Sequence, residues 1–249
     1  MDRELAGRGA LITGGGRGIG AAVARALARE GCAVALVEHC ANDSARALAA
    51  ELSDAGAHAM ALEADVSDFA AAEPTVAAAV EGLGRLDILV ANAGISRDGV
   101  VWKLTEAAWD EVLDVNLKGV FAYCRAVAPV FRAQKSGRVV TISSINGLRG
   151  KFGQANYAAS KAGVVALTKT VARELGAFGV TANCVAPGMI RTEMTAALPE
   201  DVLARAVGET VLGRAGEPGD VAEVVAFLCT ERARHVTGTV IQVDGGQYI

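Results

Sequence analysis

An α/β fold is what this 249-residue sequence predicts: a doubly wound parallel sheet of about seven strands with helices on both faces. Three observations predict it. Short β-like apolar runs alternate with longer Ala-rich helical stretches, the order that a parallel sheet with crossover helices requires. The composition is 52% hydrophobic, enough for one large core. No linker, low-complexity segment or internal repeat interrupts the alternation, so one domain over residues 1–249 is expected.

The elements follow in order. Gly9–Thr13 reads as a strand and Gly18–Glu30 as a helix. Ala33–Val37 is a strand before a helix over Asp43–Ala55, and Ala59–Glu63 a strand before a helix over Phe69–Gly82. Leu86–Ala91 is a strand followed by helices over Glu106–Lys118 and Gly119–Gln134. Arg138–Ser143 is a strand, then comes a long helix over Asn156–Phe178. Val180–Val185 is a strand, Glu200–Val207 and Pro218–Cys229 are helical, and Gly238–Val243 is the last strand. Alanine runs such as Ala70-Ala71-Ala72 are helix formers.

Several function classes are excluded. Net charge is -4 with Lys and Arg scattered, and no basic block of a nucleic-acid protein is present. No apolar run reaches the ~18 residues of a membrane helix without meeting a charge. Met1-Asp2-Arg3-Glu4 carries both signs and lacks an apolar signal core, so a cytoplasmic location is expected. The five cysteines (Cys32, Cys40, Cys124, Cys184, Cys229) are dispersed and form no C-x-x-C pair. With only His39, His58 and His235 beside them, they read as reduced residues, and no metal site is expected.

Two motifs carry chemistry. Thr13-Gly14-Gly15-Gly16-Arg17-Gly18-Ile19-Gly20 follows the first strand and opens the first helix. Glycines let backbone approach a pyrophosphate closely, and the helix N-terminus supplies free N–H groups and a positive dipole end. Its spacing, Gly-x-x-x-Gly-x-Gly, differs from the Gly-x-Gly-x-x-Gly fingerprint. Tyr157 and Lys161 are four apart, which on a helix puts phenol and ammonium on one face. A fixed cation beside a phenol favours phenolate, lowering its pKa from ~10 towards a range useful for proton transfer.

The chain resembles the short-chain dehydrogenase/reductase family over essentially its whole length. Thr13–Gly20 matches the phosphate loop, Asn92-Ala93-Gly94 the motif after strand four, and Asn116 the helix asparagine. Ser143-Ser144 ends strand five, Tyr157 and Lys161 match the catalytic pair, and Pro187-Gly188 follows strand six with Thr192 close behind. The resemblance implies a Rossmann-type sheet and hydride transfer between a nicotinamide and a carbonyl or secondary alcohol. It gives Tyr157 the role of proton donor. Lys161 would lower the phenol's pKa and bond the nicotinamide ribose, Ser144 would hold the carbonyl oxygen, and Asn116 would anchor a water leading from Lys161 to solvent. Ser143 is left to structure, because strand alternation points it the other way. Gly14, Arg17, Gly18, Ile19 and Gly20 would surround the phosphates. Asp65 and Val66 would contact adenine, Asn92, Ala93 and Gly94 the sheet centre and adenosine ribose, and Pro187, Gly188, Ile190 and Thr192 the nicotinamide side. Arg97 and Asp98 read as solvated loop charges or interface residues.

Glu38, at the end of strand two, falls where NAD-preferring members place an acid that bonds the ribose hydroxyls and repels a 2′-phosphate. Arg17, with His39 nearby, argues for NADP(H), which carrier-protein reductases mostly use. NAD(H) is therefore favoured, with NADP(H) as the alternative. Within the family the chain looks most like the 3-oxoacyl-[acyl-carrier-protein] reductases, through Asn92–Asp98 and Gly153–Gly163. That implies an acyl thioester of carrier protein or CoA as substrate, and a basic patch such as Arg132 and Lys135 at the active-site mouth. Just before Gly179, where acyl-carrier reductases often have arginine, this chain has Phe178, a departure that leaves room for a CoA thioester or a free ketone or alcohol; a dehydrogenase of another secondary alcohol, sugar or ketone is the alternative. A catalytically silent nucleotide-binding protein is the reading from another class, and the presence of Tyr157 and Lys161 argues against it. Met194, Leu198, Val202 and Leu203 suggest an apolar substrate lid over 194–213. A homotetramer is implied, through the helices of Glu106–Gln134 and Asn156–Phe178 and through the C-terminal strand region.

Overall fold

The structure, a computed structural model, describes residues 3–39, 43–196 and 199–249. Seven parallel strands form one sheet: β1 (Gly9–Thr13), β2 (Ala33–Glu38), β3 (Ala59–Glu63), β4 (Ile88–Ala91), β5 (Gly137–Ile142), β6 (Val180–Pro187) and β7 (Val240–Val243). Their order is β3-β2-β1-β4-β5-β6-β7. The strands read as continuous apolar runs because both faces are covered. Alternation sorts their side chains. Ile12, Leu36, Val90, Val140 and Val185 pack on one face with α1 (Gly18–Arg29), α2 (Ser44–Asp54) and α10 (Pro218–Cys229). Leu11, Ala35, Leu89, Val139 and Cys184 pack on the other with α3 (Ala72–Leu83), α5 (Gly119–Gln134) and α7 (Ala155–Leu175).

Strand order reverses between β1 and β4, which pair in parallel with Thr13 beside Ala91. That reversal opens a crevice beyond the carboxyl ends of the strands, where open α/β sheets bind ligands. The opposite rim carries a lock. Asp87, 1% exposed, accepts from Gly9 N at 2.9 Å and takes a two-pronged contact from Arg85 at 2.8 and 2.6 Å. A Cβ on Gly9 would come within 2.1 Å of the Arg85 oxygen, so only glycine lets β1 start there.

The structure departs from the expected elements in a few places. The expected helix over Glu106–Lys118 is α4 (Glu106–Leu113), capped by Thr105, followed by a π-helical turn over Asp114–Lys118. The long helix stops at Leu175 and passes through a 3₁₀ turn to Gly179 at φ 71. Two short helices, α6 (Asn146–Arg149) and α8 (Glu193–Ala196), and a further helix, α9 (Glu200–Gly208), lie in the connections that follow β5 and β6. The last strand starts at Val240 because Gly238, at φ 70, turns away.

Arg132 and Lys135 lie on the wrong rim for the expected mouth patch. They end α5 immediately before β5 begins at Gly137, at the amino-terminal edge of the sheet, and neither lines the crevice. Arg132 instead stacks over the Phe178 ring at 4.8 Å. No helix among the described residues is long and apolar enough to cross a membrane.

Candidate active site

A single crevice of about 780 Å³ collects residues from six loops. It is lined by Gly14, Arg17, Gly18, Ile19, Glu38, Asp65, Val66, Asn92, Ala93, Gly94, Ser144, Tyr157, Lys161, Pro187, Gly188, Ile190 and Thr192. Gly20 and Asn116 back it without lining it.

The loop between β1 and α1 is held from behind. Asn92 Nδ2 donates to the oxygens of Thr13 and Gly14 at 3.0 and 2.9 Å, and Thr13 Oγ1 accepts from the main chain of Asn92 and Ala93. Gly14 and Gly18 have φ of 62 and 52, the left-handed region that glycine supplies. A Cβ on Gly20 would lie 2.0 Å from the Gly14 oxygen, so the loop closes on the helix only with glycine there. Glu38 Oε2 accepts from Gly16 N at 3.2 Å, which fixes its carboxylate beside the loop. Asp65 accepts from the main chain and hydroxyl of Ser67. The Ser67 hydroxyl, against the opposing effect of burial, holds the Asp65 carboxyl below its usual range. His39 Nε2 is 3.8 Å from Asp65.

At the other end stand the proton-handling candidates. Tyr157 and Lys161 project from α7, one turn apart. Lys161 is 3% exposed and donates through Nζ to the Ile142 oxygen at 2.9 Å. Burial pulls its pKa down to about 8, opposed by the neighbouring Cys184 thiol. The Tyr157 phenol sits above its ordinary value. Burial is the largest cause; a hydrogen bond from Ser144 lowers it, and the charge of Asp98 raises it. The expected lowering by Lys161 is thus absent from this arrangement: Nζ stands 5.7 Å from the ring centroid and turns to Ile142. Ser144 Oγ accepts from Asn146 N at 3.1 Å, while Ser143 Oγ donates to the Lys161 oxygen, a structural contact.

Asn116 is fully buried in the π-helical turn. Single-turn π insertions recur at functional sites. Its Oδ1 accepts from Ile95 N at 2.8 Å, and its Nδ2 donates to the Ile95 oxygen and Ser160 Oγ. The side chain therefore clamps the loop after β4 onto α7, and does not touch Lys161. A Cβ on Gly94 would be 3.3 Å from Lys161 Nζ and 3.4 Å from Asn116 Oδ1.

Sequence reasoning missed some lining residues. Arg97 lines the crevice while paired with Glu111 at 2.6 Å, and Glu193 and Thr195 line its wall beside Thr192. Asp98 accepts from Gln154. Of the expected apolar lid, Met194 lines the crevice, Leu203 packs with Met189 and Ala206 instead, and Leu198 lies outside the described residues. Apart from the acidic residue Glu193 opposite Gly18, these positions carry no motif that spacing would flag.

Comparison with known proteins finds relatives over nearly the whole chain. A family model described as Enoyl-(Acyl carrier protein) reductase matches residues 14–247. A 3-oxoacyl-[acyl-carrier-protein] reductase of Staphylococcus epidermidis is 42% identical over 242 residues, 97% of this chain and 99% of the relative. An acetoacetyl-CoA reductase of Shinella zoogloeoides is 42% identical over 242 residues, 97% of this chain and 98% of the relative. The crystal structure of gox2181 superposes with a TM-score of 0.95 at 35% identity, covering 99% of this chain and 97% of that one. With its seven-stranded parallel sheet and matches over nearly its full length, the chain belongs to the short-chain dehydrogenase/reductase family, an oxidoreductase family that works with a nicotinamide cofactor.

Proposed function

We propose that the protein is an NAD(P)-dependent reductase of 3-oxoacyl thioesters, forming the 3-hydroxyacyl product in fatty-acid synthesis, with Tyr157 as proton donor. The observation that carries this reading is the convergence of Ser144, Tyr157, Lys161 and the Asn116 clamp at one end of the glycine-loop crevice. Relatives named for 3-oxoacyl-carrier and acetoacetyl-CoA reduction support the substrate class.

The residues fit a nicotinamide dinucleotide. The loop of Gly14, Gly18 and Gly20 brings main chain close to the crevice floor, and Glu38 and Asp65 present carboxylates at its adenosine half. When bound, the cofactor supplies the hydride. The protein manages the proton. Asn146 N occupies an acceptor site of Ser144 Oγ, so the hydroxyl keeps its proton to give, to the Tyr157 phenol at rest and to a bound carbonyl oxygen during reaction. Tyr157 delivers its proton to that oxygen, and a phenol kept neutral by burial suits a donor in the reductive direction. Lys161, its pKa of about 8 near neutrality, places a cation at the same end of the crevice, one helical turn from the phenol.

Glu38, pinned beside Gly16, supports NAD(H) over NADP(H), since a 2′-phosphate would meet a fixed carboxylate. The displacement of Arg132 and Lys135 from the protomer's own mouth supports CoA over an acyl carrier protein as thiol carrier. It also favours the second reading, a dehydrogenase of another secondary alcohol, sugar or ketone. One nucleotide-binding domain over residues 1–249, a homotetramer and a cytoplasmic site complete the proposal. Steady-state kinetics with acetoacetyl-CoA, acetoacetyl-carrier protein and a panel of alcohols, each with both cofactors, tests it. Thioester reduction with NADH is expected, and its absence with either cofactor overturns the reading.

A further inference from the structure

A chain of side-chain hydrogen bonds runs outside the crevice, from the segment of the serine to the C-terminal tail. Arg149, on α6, donates through Nη2 to Glu209 Oε2 at 2.9 Å, just beyond helix α9. The same oxygen accepts from Gln247 Nε2 at 3.0 Å. Gln247, in the stretch after β7, is only 8% exposed. Its Nε2 also reaches the Ala206 oxygen inside α9, and its Oε1 accepts from Met189 N at 2.9 Å, between crevice residues Gly188 and Ile190. The fit there is close: a Cβ on Gly188 would stand 2.7 Å from that oxygen.

The chain continues inward. Arg149 Nε donates to Asn146 Oδ1 at 3.3 Å, Asn146 N donates to Ser144 Oγ, and Asn146 Nδ2 donates to Gln154 Oε1 at 3.1 Å. Gln154 precedes the first turn of the helix that carries Tyr157. One carboxylate thus joins four pieces of chain that meet around the reacting end: the serine segment, helix α9, the stretch after β6 and the tail. The hydrogen bonds from Gln247 and Arg149 hold the Glu209 carboxyl below its ordinary range, as an anion seated in a built contact requires.

We propose that Arg149, Glu209 and Gln247 form a latch that seats helix α9 and the Gly188–Ile190 stretch against the Ser144–Tyr157 pair. They act as positioning residues for the carbonyl substrate. The latch rests on the reading of Ser144 and Tyr157 as the proton-handling pair. It predicts loss on the carbonyl side of the reaction and little on the adenosine side, because Arg17, Glu38 and Asp65 stand at the far end of the crevice.

The test compares the full-length enzyme with Glu209→Ala, Arg149→Ala, the double variant, Glu209→Gln and Tyr157→Phe. Each is assayed with acetoacetyl-CoA, or with whichever alcohol or ketone the panel shows to be turned over, and each is titrated with ADP-ribose. Glu209→Ala and Arg149→Ala should each raise KM for the carbonyl substrate roughly tenfold, since small displacements of a reacting group cost that much or more. Kd for ADP-ribose, the cofactor without its nicotinamide, should stay within about twofold. The double variant should lose less than the product of the two singles, because both remove the Arg149–Glu209 contact while each also cuts a bond of its own. Glu209→Gln keeps an acceptor and the volume, and should recover part of the loss; it also serves where an alanine variant does not fold, with an expected KM increase of about threefold. Unchanged KM, multiplicative losses in the double variant, or ADP-ribose Kd rising in step with KM overturns the latch. An active Tyr157→Phe sinks the proton-handling reading instead, and leaves the KM pattern to judge the latch.

Discussion

Lys161 spends its Nζ on the main-chain oxygen of Ile142, 2.9 Å away at the end of β5, and not on the phenol one turn before it. The ammonium is held in the sheet's interior edge, where burial brings its pKa down to about 8. Between pH 8 and 10.5 the unfolded chain therefore binds more protons at this lysine than the folded one. Its contribution to stability rises with pH across that window and is at its lowest, and flat, below it. Lys161→Met removes the effect. Relative to wild type, the variant should gain up to about 3 kcal/mol from this cause below pH 8, and the gain should vanish as pH approaches 10.5. Urea unfolding of both proteins at a series of pH values measures it.

Tyr157 should respond to its neighbours in opposite directions. Asp98 raises the phenol's pKa, and the Ser144 hydrogen bond lowers it. In the oxidative direction, where the phenolate is the base, Asp98→Asn should move the onset of activity to lower pH, and Ser144→Ala should move it higher. Profiles of kcat/KM against pH report both shifts. Tyr157→Phe should retain fold and nucleotide binding and lose most turnover.

The carboxylate of Glu38, held by Gly16 N, gives the proposed NAD(H) preference a direct test. Glu38→Ala should shift the ratio of kcat/KM for NADPH over NADH upward by roughly tenfold or more, because a like-charge contact costs several kcal/mol. An unchanged ratio would mean that the carboxylate turns away from the ribose.

Asp87 carries no chemistry and much stability. Asp87→Ala strands the buried Gly9 N–H while the exposed Arg85 returns to water, and should cost about 2 kcal/mol, as an unsatisfied buried donor does. Thermal melts should show the loss, with KM values for cofactor and substrate unchanged.

Much of the fold and most of the site could be read from residue order. Strand–helix alternation marks every strand because parallel strands are apolar on both faces. The glycine loop, Asn92, Ser144, Tyr157 and Lys161 fall on the crevice because each sits at the carboxyl end of a strand or on the helix beside it. The π-helical turn at Asn116 was not legible, since one extra residue per turn leaves the apolar pattern almost unchanged. Asp87 and Glu209 find their partners across 78 and 38 residues, beyond any local signal. Arg132 and Lys135 are different. They precede β5, and in a parallel sheet whatever precedes a strand lies on the rim opposite the crevice, so their displacement could have been deduced from connectivity alone.

The Arg85–Asp87–Gly9 lock and the Arg132–Phe178 stack occupy that far rim, a strand's length from the crevice. Heat tolerance and substrate choice are thereby written in two separate sets of positions. Libraries selected on one rim for robustness and on the other for a new ketone should recombine with little epistasis, because residues that share no partner contribute almost additively.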